Sequence, residues 1–269
     1  MKKIAMITGP SSGIGKATAL QMARKGFHVV AAGRSEERTT AVVDEITSAG
    51  GSGEFLHLDL ASLESCRDAA RRFEDSARAL DVLINNAGVG GERGLTKDGF
   101  EIQFGVNHLG HFMLTHHLRR TLRPGSRIVV VSSEVHRRAE GIDWEGVTEG
   151  TGLLGGWKEY GASKLANILF ARHLARLQPD WRTYSLHPGL ADTNIFPAIV
   201  KPFLRDKKSP EAAAQTSVWC AASDEVAHQT GLYYSKCRVR EPSAAARDDA
   251  LAAELWRRSE LWCGVVAQH

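Results

Sequence analysis

Short apolar segments alternate along this chain with longer segments in which apolar residues recur at helical spacing. Continuous apolar runs, such as those at 82–84 and 128–131, are typical of strands that helices cover on both faces. Helical spacing is clearest in segments 16–25, 62–79 and 164–177. The pattern predicts seven strands, at residues 3–8, 27–32, 54–58, 81–85, 127–132, 183–186 and 232–234.

This alternation predicts an α/β fold in which a doubly wound, seven-stranded parallel sheet of Rossmann type carries helices on both faces. No linker or shift in composition divides residues 1–269, so we expect a single domain. Segments 134–157 and 191–208 fit the alternation poorly. Long irregular segments beside strand ends often contact substrate. We interpret 191–208 as a candidate substrate lid, with a packing insert as the alternative.

Charge and cysteine content narrow the classes of partner. With 34 basic and 31 acidic residues and a formal net charge of +3, electrostatics does not favour nucleic acid. The cysteines, Cys66, Cys220, Cys237 and Cys263, lack the close pairs of a zinc site, so no metal is expected. Nothing resembles a secretory leader, and no apolar run approaches the ~20 residues that cross a bilayer. We expect a cytoplasmic protein without an integral membrane segment.

A glycine-rich segment, Thr8-Gly-Pro-Ser-Ser-Gly13-Ile-Gly15, follows the first predicted strand and precedes a helix. Gly9, Gly13 and Gly15 allow a tight turn in which a dinucleotide pyrophosphate can approach backbone amides and the positive end of the helix. Pro10 has no amide hydrogen to offer. Further amides or hydroxyls for phosphate come from Ser11, Ser12 and Ile14.

A second segment, Tyr160-Gly-Ala-Ser-Lys164, places a phenol and an ammonium on one face of a helix, because residues four apart are neighbours there. A phenol ionises near pH ~10, and we expect the neighbouring cation to lower that pKa. Tyr160 would then donate and accept a proton near neutrality. Neither segment is decisive alone, because a glycine-rich turn can be purely structural and the Tyr-x-x-x-Lys spacing often arises by chance. Together they predict a nicotinamide oxidoreductase.

The residues at 31–34, Ala-Ala-Gly-Arg, decide which cofactor we expect. About 20 residues past the turn, NAD enzymes offer a carboxylate to the adenosine ribose 2′-hydroxyl. This chain has Arg34 there. A guanidinium can form paired, charge-assisted hydrogen bonds to a 2′-phosphate, so the sequence predicts NADP(H) over NAD(H). A surface arginine that opens a helix is the alternative interpretation.

These motifs and their order resemble the short-chain dehydrogenase/reductase superfamily. Three further motifs follow in the family's order: Asn85-Asn86-Ala87-Gly88, Ser132-Ser133 and Pro188-Gly189-x-x-x-Thr193. The closer likeness is to the retinol dehydrogenase-like branch, through Asn107-His-Leu-Gly-His-Phe112, the segment 160–170, Leu186-His-Pro-Gly189 and the C-terminal segment. Many relatives in that branch carry an N-terminal membrane anchor, which we do not find in this sequence. That difference weakens an inference to a membrane-dissolved retinoid.

The resemblance implies a catalytic set of Asn107, Ser133, Tyr160 and Lys164. Tyr160 would exchange a proton with the substrate oxygen, and Lys164 would favour the phenolate and bind the nicotinamide ribose hydroxyls. Ser133 would hydrogen-bond the substrate oxygen, although spacing alone leaves the adjacent Ser132 as a competitor. Asn107 would order a water that relays protons toward Lys164. Nearby histidines are interpreted as packing or loop residues: His108, His111, His136 and His187.

The same resemblance implies the cofactor contacts. Asp59 would approach the adenine, and Leu60 would lie against it. The other positions would line the ribose and nicotinamide parts of the site: Asn86, Ala87 and Gly88 on the adenosine-ribose side, Pro188 and Gly189 at the nicotinamide, and Thr193 at the carboxamide or nearby phosphates. For Asn85 we prefer a structural role, because a buried asparagine at a strand end commonly satisfies backbone groups.

The preferred interpretation is an NADP(H)-dependent carbonyl reductase or alcohol dehydrogenase with an apolar aldehyde, ketone or alcohol as substrate. A ketone-reducing tailoring enzyme for polyketide or steroid-like substrates would use the same site. A non-catalytic NADP(H)-sensing protein is the third alternative, although it would not need Ser133, Tyr160 and Lys164. The family resemblance also implies a homo-oligomer, assembled through the helices that carry Tyr160 and Asn107. Fold alone does not set the substrate.

Overall fold

The computed structural model describes residues 2–151, 156–189 and 208–265. Within these residues the strands form a single sheet with the order β3-β2-β1-β4-β5-β6-β7-β8, and β1 to β7 are parallel. The strands are β1 (Ile4–Thr8), β2 (His28–Gly33), β3 (Ser52–His57), β4 (Leu80–Asn85), β5 (Leu122–Val131), β6 (Arg182–His187), β7 (Leu232–Ser235) and β8 (Arg238–Arg240). The predicted α/β class and doubly wound sheet are confirmed.

Helices cover both faces of the sheet. They are α1 (Gly13–Arg24), α2 (Glu36–Ser48), α3 (Leu63–Glu74), α4 (Ile102–Phe104), α5 (Gly110–Leu118), α6 (Trp157–Leu177), α7 (Pro210–Ala222) and α8 (Asp249–Cys263). One apolar cluster joins α1, α2 and α7 to the sheet, and another joins α3, α5, α6 and α8 to its other face. This two-sided cover explains why β1 is buried along its whole length and why residues 128–131 form a continuous apolar run.

An eighth strand corrects the predicted count of seven. β8 pairs antiparallel with β7 at the edge of the sheet, with Ser235 opposite Arg238. The turn between them places Lys236 and Cys237 at φ 55° and 53°, a left-handed conformation that glycine or asparagine usually supplies. The sequence therefore lacks the usual hairpin signal, and the three exposed residues of β8, Arg-Val-Arg, are too few to predict a strand.

Helix α8 packs against α6 and α5 of the same chain. The Trp256 ring lies parallel to that of Phe170, with centroids 5.9 Å apart and planes 9° apart. It also meets Phe112 edge-on at 5.0 Å. Helix α8 thus contacts both α5 and α6, and the homo-oligomer that the resemblance implies stays a prediction. Among the described residues, no helix combines the length and the apolar character that a bilayer crossing requires.

The strand order reverses between β1 and β4, since β2 and β3 lie on one side of β1 and β4 to β8 lie on the other. Connections from β1 and β4 leave toward opposite faces, so a crevice opens at the carboxyl ends of these strands. The glycine turn follows β1, and the Asn85-Asn86-Ala87-Gly88 motif follows β4, which places both at this crevice. The candidate lid at 191–208 lies almost entirely outside the described residues and stays a prediction.

Candidate active site

A cleft of about 410 Å³ opens at the carboxyl edge of the sheet and gathers most of the predicted site residues. Those that line it are Gly9, Ser11, Ser12, Gly13, Ile14, Gly15, Arg34, Asp59, Leu60, Asn86, Ala87, Gly88, Ser133, Tyr160, Lys164, Pro188 and Gly189. Asn107 is fully buried and lies behind this lining. Thr193 lies outside the described residues.

The glycine turn is tight enough to exclude side chains at the predicted positions. Gly9 and Gly13 have φ of +66° and +52°, in the left-handed region that favours glycine. A Cβ at Gly15 would lie 2.1 Å from the Gly9 carbonyl oxygen and 2.6 Å from Asn86 Nδ2. Helix α1 begins here, the Ser12 hydroxyl does not cap it, and its first turn carries no acidic residue. This backbone cradle fits a dinucleotide pyrophosphate.

Thr8 joins the ends of β1 and β4 beneath the turn. Its hydroxyl accepts hydrogen bonds from the backbone amides of Asn86 at 2.9 Å and Ala87 at 3.0 Å. The Asn86 side chain donates to the Thr8 carbonyl at 2.9 Å. Asn85 does not line the cleft; it is fully buried and donates to the Thr115 hydroxyl at 3.1 Å, a side-chain partner in place of the backbone group that we expected.

One end of the cleft is basic. Arg34 follows β2 and is exposed, and Ser35 caps α2 by accepting from the Arg38 amide at 3.4 Å. The Arg38 side chain lines the cleft together with Arg34. The sequence reasoning missed Arg38, although its position four residues after Arg34 at the start of a helix was a readable signal.

Asp59 lies at the same end of the cleft. Burial raises the pKa of its carboxyl, but hydrogen bonds from Lys97 at 3.0 Å and from the Ala61 amide at 3.1 Å outweigh burial. The Arg34 charge acts in the same direction, so the pKa lies below its usual value. Asp59 is therefore a carboxylate whose oxygens already have partners on the protein.

Tyr160, Lys164 and Ser133 meet at another part of the cleft. The Tyr160 phenol is buried and hydrogen-bonded by the Ser133 hydroxyl. Lys164 lies one helical turn further along α6, with Nζ donating to the Val131 carbonyl at 3.3 Å. The Ser132 hydroxyl instead donates to the Lys164 carbonyl at 2.6 Å. The two serines therefore have different partners, and it is Ser133 that faces the phenol.

The expected lowering of the Tyr160 pKa is wrong for this arrangement. Burial raises the pKa of Tyr160 to about 12, and the Ser133 hydrogen bond offsets this only in part. Burial also lowers the pKa of Lys164 to about 8. Lys164 Nζ lies 5.6 Å from the centre of the Tyr160 ring. The loss of hydration thus sets the direction of the Tyr160 pKa shift, an effect that the Tyr-x-x-x-Lys spacing does not reveal.

Asn107 lies in a π-helical turn, Gly105–Leu109, between α4 and α5. Its side chain donates to the Val89 carbonyl at 3.0 Å and the Ser163 hydroxyl at 2.9 Å, and it accepts from the Val89 amide at 2.8 Å. A Cβ at Gly88 would lie 3.1 Å from Asn107 Oδ1 and 3.2 Å from Lys164 Nζ. Gly88 therefore lets the asparagine, the lysine and the cleft wall approach closely. Single π-turns are frequently found at functional sites.

The family model described as short chain dehydrogenase matches residues 3–144. The chain belongs to this family. Its members are oxidoreductases that bind nicotinamide cofactors and act on alcohol or carbonyl groups. The similarity to curated relatives extends over nearly the whole chain, which agrees with the motifs that continue to the C-terminal segment.

Three curated relatives illustrate the range within this short-chain dehydrogenase family. Dehydrogenase/reductase SDR family member 13 of Bos taurus is 40% identical over 98% of this chain and 74% of its own length. Retinol dehydrogenase 14 of Mus musculus is 39% identical over 98% of this chain and 86% of its own length. A candidate daunorubicin C-13 ketoreductase of Streptomyces, DnrU, is 38% identical over 98% and 93%.

Solved structures of similar proteins share the fold. An uncharacterized protein of Mycobacterium paratuberculosis superposes with a TM-score of 0.81 at 33% identity, covering 97% of this chain and 93% of the other. A blue fluorescent protein from a metagenomic library, solved in complex with NADPH, superposes with a TM-score of 0.69 at 26% identity, covering 87% and 96%.

The histidines near the motifs of this dehydrogenase have distinct partners. His108 contacts the Ser259 hydroxyl on α8 at 2.9 Å, and His136 is held between the Ser133 carbonyl at 2.6 Å and the Ser243 amide at 3.1 Å. These two have the packing roles that we expected. His187, also interpreted from the sequence as a packing or loop residue, instead lines the cleft. Burial lowers its pKa to about 4, so its imidazole is neutral near pH 7.

Proposed function

We propose that this protein is an NADP(H)-dependent oxidoreductase that transfers a hydride between the nicotinamide and an apolar aldehyde, ketone or alcohol. One observation carries the proposal. The Tyr160 phenol is hydrogen-bonded by Ser133, and Lys164 follows it one helical turn later. All three line the same cleft as the glycine turn, Arg34 and Arg38. Proton-transfer groups and dinucleotide-binding groups therefore share one site.

The basic end of the cleft supports NADP(H) over NAD(H). Arg34 and Arg38 can both hydrogen-bond a 2′-phosphate, and the N-terminus of α2 adds a favourable dipole. Residues 31–34 carry no carboxylate that could accept from a ribose 2′-hydroxyl. Asp59, the acidic residue at this end, is held by Lys97. When bound, the nicotinamide supplies or accepts the hydride.

The chain's own residues handle the substrate oxygen. With a pKa of about 12, the Tyr160 phenol holds its proton at neutral pH and donates it to the oxygen as negative charge develops during reduction. Ser133 donates a second hydrogen bond to that oxygen, a contribution of about 2.7–4 kcal/mol for a preorganised donor. Lys164, with a pKa of about 8, is mostly protonated at pH 7 and favours the phenolate that results.

The substrate proposal rests on the apolar part of the lining. Val89, Ile102 and Val106 line the cleft, and such walls favour an apolar carbonyl compound. The name of the Mus musculus relative supports an alcohol or aldehyde such as a retinoid. The name of the Streptomyces relative supports the second candidate function, reduction of a ketone on a polyketide-derived compound. The complete Ser133, Tyr160 and Lys164 set argues against a purely NADP(H)-sensing protein.

Initial rates of cofactor oxidation test the proposal. NADPH and NADH are compared over apolar aldehydes and ketones, including retinal and an anthracycline ketone. We expect turnover that favours NADPH and falls about 10²- to 10⁴-fold in Tyr160→Phe, as loss of a general acid predicts. Tyr184→Phe is the matched control, because it removes a buried phenol that donates to the Val226 carbonyl at 2.8 Å, outside the cleft. Equal activity in wild type and Tyr160→Phe would contradict the assignment.

A further inference from the structure

His111 connects the glycine turn to Asn107 through two buried hydrogen bonds. It lies in α5 and is 1% exposed. Its Nε2 is 2.9 Å from the Thr8 hydroxyl at the end of β1. Its Nδ1 is 2.9 Å from the Asn107 backbone carbonyl. One imidazole thus spans the space between the cofactor-binding side of the cleft and the π-helical turn.

The partners fix the state of this ring. A backbone carbonyl can only accept, so Nδ1 carries the hydrogen and donates to Asn107, which leaves Nε2 to accept from Thr8. The Thr8 hydroxyl in turn accepts from the Asn86 and Ala87 amides. An alternative acceptor for Thr8, the Ile84 carbonyl, is further away at 3.4 Å. Burial lowers the pKa of His111 to about 4, which keeps the ring neutral as this chain of bonds requires.

We propose that His111 is a positioning residue. It fixes the position of the glycine turn relative to the side of the cleft that carries Asn107 and Lys164. Through Thr8 it holds the amides of Asn86 and Ala87, which line the cleft. Through the Asn107 backbone it holds the side chain that binds Val89 and lies with Lys164 against Gly88. The proposal rests on the proposed function, because His111 would position the groups that bind the cofactor and those that transfer the proton.

His108 separates this role from ordinary packing. It is three residues earlier on the same helical segment and is also 1% exposed. Its hydrogen bond goes to Ser259 on α8, and its ring packs against the side chains of Phe104, Phe112 and Phe170 in the helical core. Loss of His108 therefore removes a buried histidine and its hydrogen bond without touching the connection between β1 and Asn107.

The test compares His111→Leu with His108→Leu. Three quantities are measured on each folded variant: NADPH affinity by fluorescence titration, kcat and KM with a substrate from the panel, and the thermal unfolding midpoint. We expect both variants to lose thermal stability. Only His111→Leu should also weaken NADPH binding and lower kcat, each about tenfold, the effect of one buried hydrogen bond on a binding or activation free energy.

A second pair of variants covers the case in which His111→Leu does not fold. Thr8→Val removes the hydroxyl at the other end of the same hydrogen bond, whereas Thr8→Ser keeps it. We expect Thr8→Val to lose at least as much NADPH affinity and kcat as His111→Leu, because it also removes the acceptor of the Asn86 and Ala87 amides, and Thr8→Ser to recover most of that loss. In the double variant His111→Leu/Thr8→Val, the losses should not exceed those of the worse single variant, because both changes break one connection.

Each opposite outcome is decisive. If His111→Leu or Thr8→Val binds NADPH and turns over like the wild type, the positioning role is wrong. It is also wrong if His108→Leu loses affinity and kcat in parallel with His111→Leu, since both would then act through stability alone. If the wild-type protein does not bind NADPH, the proposed function and this inference are both overturned. If the wild type binds NADPH and His111→Leu binds it equally well, only this inference is overturned.

Discussion

The Ser132 hydroxyl donates to the backbone carbonyl of Lys164 at 2.6 Å, and both residues are buried. This bond joins the end of β5 to α6, the helix that carries Tyr160 and Lys164. It also turns Ser132 away from the phenol, which is hydrogen-bonded by Ser133. Two adjacent serines thus have different partners, one on the backbone of α6 and the other at the Tyr160 phenol.

Alanine substitutions should separate the two serines. We expect Ser133→Ala to lower kcat about 10²- to 10³-fold, as loss of a preorganised donor to a developing oxyanion does, with little change in the unfolding midpoint. Ser132→Ala should instead cost about 1 kcal/mol of stability by leaving the Lys164 carbonyl without this donor, and kcat should change little. Steady-state kinetics and thermal unfolding of both variants provide the check. A larger loss of kcat in Ser132→Ala would reverse the assignment.

Cofactor preference should follow the basic end of the cleft. We expect Arg34→Asp to raise the KM for NADPH about 10- to 100-fold, because a charged hydrogen-bonding partner of the 2′-phosphate is replaced by a repelling carboxylate. NADH should be used better than by the wild type, since the new carboxylate can accept from a ribose 2′-hydroxyl. Arg38→Gln should weaken NADPH binding without improving NADH.

An exposed arginine far from the cleft offers the control for this prediction. Arg72 lies in the last turn of α3 and does not line the cleft, so Arg72→Asp should keep the wild-type ratio of NADPH to NADH activity. The measurement is kcat/KM for each cofactor at fixed ionic strength. An unchanged ratio in Arg34→Asp would leave Arg34 as a surface arginine that opens a helix, the alternative that the sequence left open.

The sequence predicted those parts of the molecule that depend on short segments of neighbouring residues. The continuous apolar runs located β1, β4 and β5, because helices on both faces leave no polar alternation in such strands. Gly9, Gly13 and Gly15 marked the turn because their conformation or close contacts exclude other residues. These signals need no knowledge of the neighbouring elements.

The parts that the sequence did not predict depend on tertiary neighbours. The direction of the Tyr160 pKa shift is set by burial under other elements, which a Tyr-x-x-x-Lys spacing does not contain. The role of His111 became visible only when β1 and α5 were brought together, 103 residues apart in sequence. The β8 strand depends on its pairing with β7, since its own three residues are too few to predict a strand.

Burial of Lys164 should cost stability at neutral pH. Its pKa falls from 10.5 to about 8 on folding, so the unfolded chain binds more protons there between these pH values, and wild-type stability rises with pH across this window. We therefore expect Lys164→Met to be inactive but more stable at pH 7, by up to about 3 kcal/mol. The Val131 carbonyl keeps a donor in this variant, the Asn167 side chain at 3.0 Å.

The stability gain of Lys164→Met should shrink as pH rises from about 8 toward 10.5, because the folded wild-type lysine is neutral in this range and the unfolded lysine loses its proton as pH approaches 10.5. Denaturant unfolding of both proteins at pH 7, 8.5 and 10 measures the difference, and other titrating groups cancel in the comparison. Lys158→Met is the control on the same helix: its ammonium is exposed and paired with Asp143 at 3.0 Å, so little change is expected. A destabilised Lys164→Met at pH 7, or a difference independent of pH, would show that the buried ammonium is compensated in the folded protein, and the low pKa of Lys164 would then be wrong.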